Sequence, residues 1–284
     1  MNVAIITDST CDLGPAAEIA YQIDIVPLLI AFGAKVFQDG IDLTNEEFYL
    51  RLSKANSLPT TSQPAPAAFE SLFRRRLDEG KEIVGLFIST TLSGTYQAAM
   101  AARNTFSGEE QSRIYLTDSR QTTGSLALLV LAACRMRDQG FGAEEISSHI
   151  LSLIPRARLY AILDTIKYLK MGGRLSTAAA VTGGLLNIVP IVMLDDGHIE
   201  AIAKIRKSTN GFRKFLREKI NSDLPDPQYP VIYLHSNNPA LTEPIQEEFK
   251  YLVSPDNAYR LSICGVVGVH VGPGAIGMAY IARA

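Results

Sequence analysis

The chain has 284 residues, with 27 Lys and Arg against 29 Asp and Glu, for a formal net charge of −2. Hydrophobic residues make up 47% and charged residues 20%, a balance that excludes a disordered chain, while the near-zero charge excludes a protein built to coat nucleic acid. The charged fraction is below that of an average soluble protein, so a surplus of apolar side chain needs a place to go.

The length allows one large domain or two of about 140 residues each. Cys11, Cys134 and Cys264 are far apart and form no CxxC pair, so they read as buried free thiols in a reducing compartment. The N-terminus MNVAIITDST has no basic segment followed by an apolar run and does not read as a signal peptide. The longest apolar run, Leu126 to Cys134, stops at Arg135 and is too short to span a bilayer. A soluble, cytoplasmic protein is expected.

In chain order, Val3 to Ile6 predicts a strand ending in the polar turn Thr7 to Thr10. A helix follows from Pro15 through Tyr21, with the proline in its first turn. Ile25 to Phe32 reads as a second strand, and Lys35 to Ile41 as a hairpin around Asp39-Gly40. Thr44-Asn-Glu-Glu47 is a capping box that opens a helix to about Lys54. Ser57 to Pro66 reads as a loop, Ala67 to Glu79 as a helix, and Glu82 to Ser89 as a strand entering Thr90 to Gly94 and a helix from Thr95. Arg113 to Leu116 is a strand, followed by Asp118-Ser119 and a long helix ending near Gly140. Strands alternating with helices predict a parallel sheet flanked by helices, an α/β domain spanning residues 1–155.

Beyond Pro155 the pattern changes. Arg158 to Leu163 is a strand, and Asp164 to Met171 and Thr177 to Leu186 are helical. Ile188 to Leu194 and His198 to Arg206 flank the hairpin turn Asp195-Asp-Gly197. A helix at Thr209 to Asn221, a strand at Val231 to His235 and a helix at Ala240 to Tyr251 follow. Tyr259 to Cys264, Gly268 to Val271 and Ile276 to Arg283 are strand-like. Residues 156–284 therefore read as an α+β domain with a largely antiparallel sheet.

Three polar loops follow strands in the first half: Thr7 to Thr10, Thr90 to Gly94 and Asp118-Ser119. Ligands of open parallel sheets sit at these carboxyl ends, yet Ser, Thr and Asp also cap helices whatever the function. Asp8, Ser9, Asp118 and Ser119 fit the capping role better. Ser93-Gly94 is more pointed, because a serine on a tight strand-to-helix turn offers its hydroxyl beside free backbone N–H groups, an arrangement that receives an anionic oxygen. The nucleophile elbow G-x-S-x-G fails here, since Thr91 and Thr95 occupy the glycine positions. Asp164 and His270 would complete a Ser-Asp-His order, which leaves a serine-dependent acyl hydrolase or acyltransferase using Ser93 and His270 as the alternative.

Gly272-Pro-Gly274-Ala-Ile-Gly277 matches G-x-G-x-x-G formally, but too little chain follows for a βαβ unit. The glycines around His270 permit close backbone approach to a ligand, or serve as turns between edge strands. Of the four histidines, none at metal-ligand spacing, His149 and His198 are expected at the surface, His235 in the core or a site, and His270 as a hydrogen-bond donor in a site. Lys167, Lys170 and Arg174, with Lys204, Arg206 and Lys207, read either as solvated faces or as a positive patch for a phosphate-bearing partner.

Five separated motifs, Thr7-Asp-Ser-Thr-Cys-Asp12, Pro59-Thr-Thr-Ser-Gln-Pro64, Ile88-Ser-Thr-Thr-Leu-Ser-Gly-Thr-Tyr96, Tyr168-Leu-Lys-Met-Gly-Gly-Arg174 and His270-Val-Gly-Pro-Gly274, occur in order along the chain. Together they resemble the DegV family of bacterial fatty-acid-binding proteins, which includes the binding subunits of fatty acid kinase. The resemblance implies two domains with a long-chain fatty acid such as palmitate in a tunnel between them. It implies that Thr61, Ser93 and His270 bind the carboxylate, that Gly94 allows close backbone approach, and that no metal or other cofactor is used. It further implies a carrier without catalytic residues of its own, with an ATP-binding kinase subunit as partner and Arg174 and Arg206 as candidate docking residues. Burying one methylene is worth about 0.8 kcal/mol, so a chain of roughly fourteen to sixteen carbons gains on the order of 10 kcal/mol. An apolar tunnel would thus supply affinity, and a few polar groups would set direction.

Overall fold

The structure, a computed structural model, describes residues 2–175, 188–206 and 208–284. The first strand, β1 (Val3–Asp8), is buried along its whole length, as a central strand of a parallel sheet must be. After a single 3-10 turn come α1 (Pro15–Ala20), β2 (Ile23–Val26), β3 (Leu29–Phe32), β4 (Lys35–Gln38), α2 (Asn45–Lys54) and β5 (Thr60–Ser62). They are followed by α3 (Pro66–Asp78), β6 (Glu82–Phe87), α4 (Thr95–Arg103), α5 (Gly108–Gln111), β7 (Ile114–Asp118), α6 (Thr123–Asp138) and α7 (Ala143–Leu153). Strands β2-β1-β6-β7 form a parallel sheet in that order. The order reverses between β1 and β6, and the carboxyl ends of two such strands open a crevice. The predicted capping box is present, with Thr44 Oγ1 accepting from Glu47 N at 3.2 Å and Glu47 accepting from Thr44 N at 3.0 Å.

Three expectations in this half are corrected. The single strand Ile25 to Phe32 is divided into β2 and β3 around Pro27, which lacks the N–H that a continuous ladder needs. The hairpin then turns at Gly33, with φ +61, rather than at Asp39-Gly40, and Asp39 is buried. The Ser57 to Pro66 segment is also more than a loop, because β5 within it pairs with β3 to form a small antiparallel sheet β4-β3-β5.

The second half contains β8 (Ala157–Ile162), α8 (Lys167–Met171), β9 (Ile188–Asp195), β10 (His198–Arg206), α9 (Thr209–Ser222) and β11 (Val231–His235). The remaining elements are α10 (Glu243–Phe249), β12 (Ala258–Ser262), α11 (Gly265–Val271) and β13 (Ile276–Ile281). Their six-stranded sheet has the order β10-β9-β8-β13-β11-β12, antiparallel except for the β11/β12 pair. The β9–β10 hairpin turns through Asp196 (φ 43) and Gly197 (φ 85), the two positive φ values that a two-residue turn of this kind requires. The expected helix Thr177 to Leu186 lies outside the described residues, and so does Lys207. The expected boundary at 155/156 falls on the 3-10 turn Ile154–Arg156.

The tail differs most from expectation. Gly268 to Val271, expected to be strand-like, belongs to α11. The carboxylates of Asp12 and Asp39 accept the N–H groups of Cys264 and Gly265 at 2.9 and 3.1 Å, which fixes the start of the helix. At Gly268 a Cβ would lie 2.6 Å from Phe48 Cε1, so only glycine lets α11 sit so close to α2. The tail glycines also do not join edge strands, because β13 lies inside the sheet between β8 and β11 and is buried throughout.

Part of the apolar surplus is used between the sheets. Helix α6, which contains the Leu126 to Cys134 run, is buried on all sides, as a helix hydrophobic around its circumference should be. It packs against β1 and β6 on one side and β8, β11 and β13 on the other, and one apolar cluster runs from Val3 and Ile5 through α6 to Ile232 and Ile281. Cys11, Cys134 and Cys264 are buried free thiols.

Candidate functional site

The polar loops divide into scaffold and site. Asp8 accepts Thr10 N at 3.0 Å and Ile88 N at 2.8 Å, tying the end of β1 to the chain leaving β6. Burial pushes the Asp8 carboxyl up to about 6 against these bonds. Asp118 accepts Thr90 N, Thr90 Oγ1 and Arg120 N at 3.2, 2.6 and 3.0 Å. Ser119 Oγ donates to Phe87 O at 2.6 Å, and Ser9 Oγ accepts Leu28 N at 3.2 Å. These residues hold loops in place, as the capping interpretation expected.

The loop they hold presents Ser93. Its N–H donates to Ser89 O at 3.1 Å, and its hydroxyl lies 2.9 Å from Thr95 Oγ1. Gly94 caps α4 without a side-chain bond, leaving the first N–H groups of that helix without intrahelical acceptors. A Cβ on Gly94 would lie 3.0 Å from Gln63 Nε2, so the glycine allows the turn to lie against the segment leaving β5.

Thr61 is carried by β5 in register with Ile30. Its hydroxyl is 3.1 Å from Nε2 of His270, in the last turn of α11. Burial first, and the nearby Arg174 charge second, push His270 down to about 4, so its ring is neutral at physiological pH. His270 Nδ1 is buried without a partner and faces Gly172, where a Cβ would lie 2.1 Å from it. The Arg174 guanidinium is tethered to Leu92 O at 3.2 Å and to Gly172 O.

Thr61, Ser93, Gly94, Arg174 and His270 therefore line one pocket, partly open to solvent. A second pocket adjoins it, with Leu159, Leu163, Leu169, Val192, Leu234 and Ile263 in its walls. Thr122, Ile199, Val267 and Val271 line both and form the wall they share. The sequence reading missed Thr122 and Gln63 as pocket residues. Gln63 lay inside a quoted motif, and Thr122 follows β7 as Ser93 follows β6, so strand-end position was the available signal.

Arg206 is not brought to this pocket, being exposed at the end of β10. His198 is exposed as expected, whereas His149 is half-buried, contrary to its surface expectation, with Nε2 3.1 Å from Tyr229 Oη. His235 is buried at the end of β11, and its pKa is lowered by burial. Asp164 is exposed and lies against Gly274. The hydrogen bonds do not join Ser93 to His270, since each has a threonine partner. Among the described residues no group of three His, Cys, Asp or Glu is placed to hold a metal ion, and no helix is long and apolar enough to cross a membrane.

Fold and site together define an α/β protein whose parallel and antiparallel sheets share a buried helix, with two adjoining pockets, one holding hydroxyls and a histidine and the other apolar. A family model described as "Uncharacterised protein, DegV family" matches residues 2–283. A DegV domain-containing protein of Caldanaerobacter subterraneus is 33% identical over 279 residues, covering 98% of each chain. Among solved structures, a DegV family protein from Thermus thermophilus described as fatty acid binding superposes with a TM-score of 0.90 at 26% identity, covering 100% of both chains. A stearic acid-binding protein from Eubacterium ventriosum gives 0.88 at 27% identity, covering 98% of this chain and 97% of that one. This chain belongs to the DegV family.

Proposed function

We propose that the protein binds one long-chain fatty acid, with its carboxylate at Thr61, Ser93 and His270 and its hydrocarbon tail in the adjoining apolar pocket. The observation that carries this reading is the adjacency of the two pockets, which share a wall, one with hydroxyls and a histidine among its lining residues and the other lined mainly by aliphatic side chains. Neutral hydroxyls suit a carrier, because they rotate to serve a carboxylate or an acyl phosphate alike. The N–H groups at the start of α4 add favourable partial charge for the head group, with Gly94 allowing close approach. The likeness to two fatty-acid-binding structures supports the same ligand class.

The division we propose is a domain of residues 1–155 and one of 156–284, with the ligand tunnel between them. The protein is a cytoplasmic binding subunit without catalysis of its own, and it presents the carboxylate to an ATP-binding kinase. Arg174 at the pocket wall and the exposed Arg206 are the basic residues proposed to face that partner. Native mass spectrometry of freshly purified protein tests the ligand assignment. An added mass matching a fatty acid, released on denaturation, is expected, whereas a bare polypeptide mass with no uptake of added palmitate would overturn it. A serine-reactive phosphonate separates carrier from acyl hydrolase, since Ser93 without a base should remain unlabelled.

A further inference from the structure

The turn of the β9–β10 hairpin is docked on the loop that presents Ser93. Connecting turns ordinarily run over the surface, but Gly197 in this one is buried. Its carbonyl oxygen accepts a hydrogen bond from Thr91 Oγ1. A Cβ at Gly197 would lie 2.5 Å from Ser89 Oγ and 3.5 Å from Thr91 Cγ2, so the bare backbone is what allows this approach. Beside it Arg120 and Asp196 form an ion pair, but both side chains are more than half exposed and the pair adds little.

The contact continues inward to Ser93. Thr91 Oγ1 lies 3.0 Å from Ser89 Oγ, which accepts Thr91 N at 3.3 Å. A hydroxyl has one proton, and that of Thr91 goes to the Gly197 carbonyl, so Ser89 Oγ is the donor to Thr91. Ser89 is fully buried, and its carbonyl accepts Leu92 N and Ser93 N at 3.0 and 3.1 Å, which sets the turn on which Ser93 stands. The Leu92 side chain packs with Ile88 and with Leu194 of β9. The same hairpin forms part of the apolar pocket, through Met193 and Leu194 on β9 and Ile199 on β10. The loop of Ser93 and the wall of the apolar pocket thus meet at the hairpin turn.

We propose that Thr91 is a positioning residue for fatty-acid binding, anchoring the Ser93 loop to the β9–β10 turn so that the Ser93 hydroxyl is held where the carboxylate arrives. The inference rests on the head-group role of Ser93 given above and adds to it a residue that does not itself line the pocket. The Ser93 hydroxyl rotates about its own bond, but where it can reach is decided by its backbone. That backbone is tied to Ser89, and Thr91 ties Ser89 to Gly197. Removing the Thr91 hydroxyl leaves the Gly197 carbonyl and the Ser89 proton without their partners at a buried contact, which loosens the turn. Thr91 is otherwise exposed, so the hydroxyl can be deleted without opening a cavity in the core.

Isothermal titration of the delipidated full chain with hexadecanoate tests the anchor through double-mutant cycles. Thr91→Val, which keeps the branched shape and removes the hydroxyl, is expected to bind about threefold to fivefold more weakly than wild type, a partial loss of the Ser93 bond. Thr91→Ser keeps a hydroxyl and should bind as wild type does. In a Ser93→Ala background Thr91→Val should cause no further loss, because the group it positions is gone, whereas with Thr61→Val the two losses should add. The anchor is overturned if Thr91→Val binds like wild type, or if Thr91→Ser loses as much as Thr91→Val. It is equally overturned if the loss persists in full beside Ser93→Ala, as a general disturbance of the pocket would give. Wild-type affinity in Ser93→Ala alone would instead overturn the head-group role of Ser93, and a wild-type chain that takes up no hexadecanoate would overturn the fatty-acid reading itself.

Discussion

Thr61 Oγ1 and His270 Nε2 lie 3.1 Å apart although 209 positions separate them in the chain. One is carried by a three-residue edge strand and the other by the last turn of a seven-residue helix. Both residues line the same pocket as Ser93, and the contact brings a hydroxyl and a neutral imidazole together there.

Loss of either hydroxyl should weaken fatty-acid binding with the fold intact. Thr61→Val and Ser93→Ala are each expected to cost about 1–2 kcal/mol of affinity, roughly five- to thirtyfold in Kd. Thr61 and His270 share a bond, so a double-mutant cycle of Thr61→Val with His270→Gln should be non-additive, while the cycle of Thr61→Val with Ser93→Ala should be closer to additive. Titration calorimetry reads all of these values. Unchanged affinity in both single variants would place the carboxylate elsewhere.

His270 can also be displaced without being mutated. Gly172 has φ −79, a backbone that alanine accepts, but its Cβ would lie 2.1 Å from His270 Nδ1. Gly172→Ala is therefore expected to push the ring from its position and weaken fatty-acid binding by about tenfold, near the cost of a lost bond to the head group. The neighbouring Gly173 has φ +68 and open space around a Cβ. Gly173→Ala should cost about 1 kcal/mol of stability through backbone strain and leave affinity unchanged. Thermal unfolding and titration on the two variants separate these effects. Wild-type binding by Gly172→Ala would show that the ring position does not matter to the ligand.

The contrast between the two glycines illustrates what the linear sequence displays. Elements with local signals, such as the capping box at Thr44 and the Asp196-Gly197 turn, are found where the pattern puts them. Helix α11 is not, because Gly-Val-Val-Gly-Val-His-Val has the composition of a strand. Its helical form is set by partners distant in the chain, Asp12 and Asp39 at its start and Phe48 against Gly268. Strand β5 is hidden for the same reason, since three residues in a Ser/Thr/Pro segment become a strand only by pairing with β3. The pocket residues Thr61, Ser93 and His270 were legible through motifs, whereas Thr122, between β7 and α6, is brought to the pocket wall only by the packing of the two sheets around α6. Arg206 shows the converse, a basic residue grouped with Arg174 by composition that the fold carries to the end of an edge strand.

The pH dependence of stability should carry opposing contributions from the two ends of α11. At its start, burial pushes Asp39 up to about 6 from an ordinary value of 3.8. The folded protein therefore holds this proton more tightly than the unfolded chain, and the associated stability is lost as pH rises through about 6. At its end, burial and Arg174 push His270 down to about 4 from 6.5. The unfolded chain takes up that proton first, so this contribution is present above pH 6.5 and is lost as pH falls through about 4. Between about pH 4 and about pH 6 the two slopes oppose each other, each amounting to at most about 1.4 kcal/mol per pH unit. Asp39→Asn keeps an oxygen for the Gly265 N–H but removes the buried acid, so across this interval its stability should fall more steeply on acidification than that of wild type. His270→Gln should do the reverse and lose stability more steeply as pH rises. Urea unfolding at several pH values within the interval measures both slopes, and parallel profiles for wild type and the two variants would show that neither group titrates there.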